Sequence, residues 1–180
     1  MKRAVVITAS DGVDAGARED ASGSAVGERL EALGYTVQRA ILPDERGLLT
    51  KILRASAQTH DLIVTTGGTG LTPRDVTPQA TQDAIDYEVP GLAEAMRAAG
   101  RVSTPFADLS RGVVGVVGHA LVINLPGSPR GAMESLAAIE GVLDHALETL
   151  AGPFDHDAAG SERQEAGPRL EAEAEPRGDA

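Results

Sequence analysis

Residues 61–78 read DLIVTTGGTGLTPRDVTP, and the fold is decided by how this stretch is read. Its opening DLIVTT is short and apolar on both faces, the pattern of a strand buried inside a parallel sheet. Three of the next four residues are glycines, and Thr77 with Pro78 then supplies an N-cap and a first helical position. A strand, a glycine loop and a helix in that order make one βα unit.

Working outward, the same alternation recurs on both sides. RAVVITA (3–9) is a β-branched run of strand length, and GSAVGERLEALG (23–34) follows with helical periodicity and a terminal glycine. YTVQRAIL (35–42) alternates like a strand, and GLLTKILRASAQ (47–58) repeats its apolar residues at helical spacing. PGLAEAMRAAG (90–100) is a short helix; GVVGVVG (112–118) and HALVINLP (119–126) are two strands joined by a tight turn at Gly118. PRGAMESLAAIEGVLDHALETLAG (129–152) is a long amphipathic helix with Ser128 as its N-cap. The order predicts an α/β fold, a three-layer α/β/α sandwich around a mostly parallel sheet. Residues 1–153 form one domain in this reading. Composition shifts after them: residues 155–180 hold eight acids against three bases, and 154–180 read as an acidic, disordered tail.

Composition removes several function classes. With 42% hydrophobic residues the chain can build a core, and with two Tyr, two Phe and no Trp that core must be aliphatic. A formal net charge of −11 and the scarcity of aromatic stacking faces argue against nucleic acid as a partner. The absence of cysteine excludes disulfides, thiolate metal sites and a cysteine nucleophile, and the four histidines are scattered without metal-ligand spacing. No stretch approaches the ~20 apolar residues of a membrane span. A soluble, cytoplasmic protein is the expectation.

In open α/β sheets, ligands bind beyond the carboxyl ends of the strands. Here those ends carry TASDG, LPDER, TGGTGLTPRD and NLPGSPRG. Gly67, Gly68, Thr69 and Gly70 can turn several backbone N–H groups toward one anion, with Thr65, Thr66, Thr69 and Thr72 as supplementary hydroxyl donors. The loop is neither a Walker A motif nor a dinucleotide fingerprint, since no Lys-Ser/Thr follows it and a proline stands where a third glycine belongs. Asp75 can cap the loop or hold Mg²⁺ beside phosphates, and Asp44 and Asp11 arrive at the same edge. Three carboxylates around a phosphate cradle favour a metal between them. Arg74, Arg111 and Arg130 are candidate phosphate clamps.

TTGGTGLTPRDVTPQAT, with PDE upstream and VPG and INLPGSP downstream, resembles the molybdenum-cofactor-biosynthesis domain. Within it the chain is similar to the stand-alone MogA/MoaB-type molybdopterin adenylyltransferases, which are related to the N-terminal domain of gephyrin. The resemblance covers residues 3–152 and implies a three-layer sandwich assembled as a homotrimer. It implies Mg-ATP-dependent adenylylation of molybdopterin with release of pyrophosphate, ahead of a molybdate-insertion partner. By motif, catalysis and Mg²⁺ fall on Asp44 and Asp75, and Ser10 and Asp11 lie near the ligand pocket. Gly67, Gly68, Thr69 and Gly70 hold phosphates, and Pro126, Gly127 and Ser128 line the ligand site. Two other readings stand beside this one: a molybdopterin-binding carrier without turnover, and a hydrolase of nucleotide diphosphates.

Overall fold

A computed structural model describes residues 2–152, and the tail expected at 154–180 lies outside the described residues. Six strands form one sheet: β1 (Arg3–Ala9), β2 (Thr36–Leu42), β3 (Leu62–Thr66), β4 (Tyr87–Glu88), β5 (Val114–Val117) and β6 (Ala120–Leu125). Their spatial order is β2-β1-β3-β6-β5-β4. β2, β1, β3 and β6 run parallel; β5 returns antiparallel to β6 through the turn at Gly118, and β4 pairs antiparallel with β5.

The helices are α1 (Asp11–Asp14), α2 (Ala21–Ala32), α3 (Arg46–Ser56), α4 (Thr77–Ala84), α5 (Pro90–Ser103) and α6 (Pro129–Ala151). Strand alternation sorts the core into two layers. Ala4, Val6, Leu62, Val64, Leu121 and Ile123 face Val26, Leu30, Met96, Leu136, Ile139 and Leu143 of α2, α5 and α6. Val5, Ile7, Ile63 and Val122 face Leu49, Leu53, Ala80 and Ala84 of α3 and α4. β3 is buried along its whole length, as its doubly apolar sequence requires.

Several boundaries differ from the expected ones, for local reasons. α2 begins two residues early, because the Asp20 side chain accepts from Gly23 N and caps it. α5 runs past Gly100 to Ser103 and stops before Pro105; Gly100 serves close packing, since a Cβ there would stand 2.8 Å from the Ala107 Cβ. Thr77 is the first residue of α4 rather than its cap, and Val76 stands in the cap position without a side-chain bond. The Thr77 N–H instead donates to Gly68 O at 3.2 Å, which ties the helix start to the glycine loop. Ser128 does cap α6, accepting from Gly131 N at 3.2 Å.

Chain order reverses between β1 and β3: from β1 the chain goes outward to β2, then returns to place β3 on the other side of β1. The carboxyl ends of these two strands form the crevice where such folds bind ligands.

Candidate active site

The crevice is a cleft of about 520 Å³. Thr8, Ala9 and Ser10 from the end of β1 face Thr66, Gly67 and Gly68 from the end of β3. Asp44 from the β2 loop, Asp75 from the glycine loop, and Gly127, Ser128 and Pro129 at the start of α6 complete it, with Arg18 at its edge. A second pocket of about 290 Å³ opens beyond the same loops. Thr69, Gly70, Pro126 and Ser128 border it, and Ala93, Met96, Phe106 and Leu109 make its lining largely apolar. The glycine loop and the Pro126–Ser128 turn thus form a wall between two cavities, and Ser128 touches both.

The wall is possible only without side chains at its thinnest point. Gly67 and Gly68 have φ of +91° and +62°, where residues with a Cβ are strained. A Cβ on Gly67 would strike Ala9 O, and one on Gly68 would strike the Thr77 hydroxyl. Gly67 N–H is spent on Leu125 O at 3.2 Å, so among the described residues the loop's free donors begin at Gly68.

Asp75 is engaged by its own loop. Its Oδ2 accepts from Thr72 N at 2.8 Å and from Thr72 Oγ1 at 2.6 Å. Burial opposes ionisation of this carboxyl, but the Thr72 hydroxyl, the Thr72 and Gly70 N–H groups and nearby Arg111 together hold it below its usual value. Arg111 braces the loop from behind, donating to Gly70 O at 2.7 Å and Asp75 O at 2.6 Å.

Asp44 is different. Its Oδ2 accepts from Asp11 N at 3.0 Å, while its Oδ1 is enclosed and has no hydrogen-bond partner. Burial pushes the Asp44 carboxyl above its usual range; the Asp11 and Asp75 carboxylates add to this, and Arg74 and the Asp11 N–H oppose it. An enclosed carboxylate oxygen left unpaired is costly and calls for a cation or a donor that arrives with a ligand.

Several sequence expectations change here. Asp11 does not line the cleft: its carboxylate makes a bidentate pair with Arg74 at 2.9 and 2.7 Å and accepts from Asp44 N at 3.0 Å. Arg74 therefore neutralises one of the three carboxylates, and it holds the Asp11 carboxyl below its usual value. The expected clamps are otherwise occupied, since Arg111 holds carbonyls and Arg130 pairs with Glu134 at 2.7 Å. Arg18 was missed, and it is the arginine that borders the cleft, donating to Ser10 Oγ at 3.0 Å. Two of the threonine hydroxyls are not spare donors either: Thr72 spends its proton on Asp75, and Thr66 donates to Thr8. Thr65 is fully buried and accepts from Asn124. Asp20, Ser22 and Thr8, bonded to one another or to Thr66 beneath the cleft, carried no local signal beyond the capping propensity of an Asp before a helix.

Known proteins share the sequence and the fold of this chain. The family model described as "Probable molybdopterin binding domain" matches residues 5–145. A protein of Helicobacter pylori named molybdopterin adenylyltransferase is 36% identical over 154 residues, spanning 83% of this chain and 88% of its own. The molybdenum cofactor biosynthesis bifunctional protein of Synechococcus elongatus is 42% identical over 155 residues. That match takes in 85% of this chain but only 48% of the relative, so the chain spans about half of that protein's length. The crystal structure of the molybdopterin biosynthesis enzyme MoaB from Thermus thermophilus superposes with a TM-score of 0.79 at 49% identity, covering 84% of this chain and 98% of that one.

Proposed function

The chain belongs to the molybdopterin-binding domain family, and on that premise we propose that it is a molybdopterin adenylyltransferase of molybdenum cofactor biosynthesis. The observation that carries this is the shared wall: two cavities of different chemistry meet at Gly67–Gly70 and Pro126–Ser128, with Ser128 in both. A nucleotide's phosphates suit the larger cleft, where Gly68 N–H, Arg18 and the α6 N-terminus supply donors. A flat pterin suits the smaller, apolar pocket.

In the reaction, a terminal phosphate oxygen of molybdopterin forms a bond to the α-phosphorus of ATP. The bond from that phosphorus to the bridging oxygen of the β-phosphate breaks, and pyrophosphate leaves. The nucleophile is already anionic, so no residue need take its proton. What the protein contributes is alignment of two anions and donors for the charge that develops between them. Backbone N–H groups held rigid by Arg111 and Thr77 serve this without reorganising.

Mg²⁺ would neutralise the phosphates during transfer. The donor set fits it: Asp44 Oδ1 is enclosed and unpaired, and Asp75 faces the same cleft. Among the described residues no group of three or more His, Cys, Asp or Glu is gathered as a metal site. An ion held by one or two carboxylates would take the rest of its shell from phosphates and water, which is how Mg²⁺ is usually bound.

The same reading takes in a homotrimer, a molybdate-insertion partner and a cytoplasmic setting. Exposed Val102, Phe106 and Leu109 on α5 and the turn after it offer apolar surface for self-association, and no described helix is long and apolar enough to cross a membrane. The test is pyrophosphate release from Mg-ATP by purified protein. Release that requires molybdopterin supports the transferase; release without it points to a hydrolase, and none with molybdopterin bound points to a carrier.

A further inference from the structure

Beneath the larger cleft, three hydroxyls and a carboxylate form a chain that the phosphate chemistry does not use. Ser22 Oγ lies 3.3 Å from Thr66 Oγ1, which lies 3.2 Å from Thr8 Oγ1, which lies 2.9 Å from Asp20 Oδ1. All three hydroxyl residues are buried and line the cleft. The direction of the protons follows from the end of the chain. An ionised carboxylate only accepts, so Thr8 must donate to Asp20. Each hydroxyl has one proton, so Thr66 must donate to Thr8 and Ser22 to Thr66. With the chain complete, Ser22 meets whatever occupies the cleft with lone pairs.

The local sequence is shaped around this chain. Asp20 Oδ1 also caps α2 through Gly23 N at 2.8 Å. Glycine inside a helix weakens it, yet Gly23 is buried in the first turn of α2. A side chain there would run into the Thr8 hydroxyl and both oxygens of Asp20. The register pairs Thr8 with Thr66 across β1 and β3, which keeps the middle of the chain in place.

We infer that Asp20 is a positioning residue: by orienting Thr8 and Thr66 it makes Ser22 Oγ an acceptor for a ribose hydroxyl of the bound nucleotide. This rests on the adenylyltransferase reading of the cleft. Phosphate oxygens have no proton to offer Ser22 and are better served by the Gly68 N–H. Thr66 immediately precedes the glycine cradle and Ser22 is one hydrogen bond from Thr66, so the group at Ser22 lies close to the phosphates. In a nucleotide the hydroxyl donors that close to the phosphate chain are those of the sugar.

The experiment is calorimetric binding of Mg-ATP and of its 2′-deoxy and 3′-deoxy analogues to the full chain. The wild type should bind ATP about fivefold to tenfold more tightly than at least one deoxy analogue, the effect of one neutral hydrogen bond. Asp20→Ala removes the group that fixes the direction of the chain, and Thr66→Val removes the acceptor of the Ser22 proton; both should shrink that ratio. Asp20→Asn keeps a carbonyl oxygen for Thr8 and should preserve it. A purely structural Asp20 would weaken all three nucleotides alike and leave the ratio unchanged, and that result would overturn the inference, as would equal binding by the wild type. Should Asp20→Ala fail to fold, Thr66→Val decides. Absence of any nucleotide binding would instead sink the adenylyltransferase reading itself, and this inference with it.

Discussion

The loop after β3 spends its polar groups on itself, whereas the loop after β2 brings a carboxylate into the same cleft and leaves one of its oxygens unpaired. Asp75 accepts two bonds from Thr72, and its carbonyl is held by Arg111. Asp44 Oδ1 is enclosed with no partner. The first loop is therefore braced by its own bonds before any ligand arrives. The second carries a cost in the free protein that a bound cation would relieve. Function and stability should consequently separate in opposite senses at the two carboxylates.

Asp44→Asn should break that comparison most sharply. Turnover should fall at least about a hundredfold, because an amide is a poor ligand for Mg²⁺. Thermal stability should hold or rise, since Asn keeps an acceptor for Asp11 N and removes a desolvated charge. A variant that stays active but melts early would reverse the assignment. Arg111→Met comes next, leaving Gly70 O and Asp75 O without their charged donor. It should cost about 2–3 kcal/mol in denaturant unfolding, and weaken nucleotide binding only through the loosened cradle. Gly68→Ala should cost about 1–2 kcal/mol from its positive φ, more if Thr77 cannot yield.

Thr72→Val has the smallest expected effect, about 1 kcal/mol, and it sharpens the comparison through pH. Asp75 has a depressed folded-state pKa, so its contribution is present above the unfolded value of about 4 and is lost as pH falls through the folded value. Removing Thr72 Oγ1 should flatten the acid limb of the stability curve. Asp44 has the opposite sign: its raised folded-state pKa makes stability fall as pH climbs from about 4 through the folded value. Asp44→Asn should remove that decline.

What sequence could reveal follows from how local each feature is. The DLIVTT strand, the positive-φ turn at Gly67 and Gly68, and the Ser128 cap rest on contiguous residues, and the structure has all three. The antiparallel return at Gly118 was legible for the same reason. Asp44 and Asp75 do reach one cleft, as motif order implied. By contrast, arginine roles were not legible, because a guanidinium chooses its partner in space. Arg74 finds Asp11, and Arg111 finds a carbonyl 41 residues away. The two-residue β4 and four-residue α1 are too short to leave a periodic signal. The Thr8–Asp20 bond joins a strand to a helix cap, and neither residue alone announces the other.

The central claim is that the two cavities meet so that a molybdopterin phosphate is adenylylated over Asp44 and the glycine loop. The direct measurement is mass spectrometry of purified protein incubated with molybdopterin, ATP and Mg²⁺. The account predicts adenylated molybdopterin from the wild type and almost none from Asp44→Asn, with molybdopterin still bound. Tight molybdopterin binding without any adenylated product from the wild type would contradict it and leave a carrier.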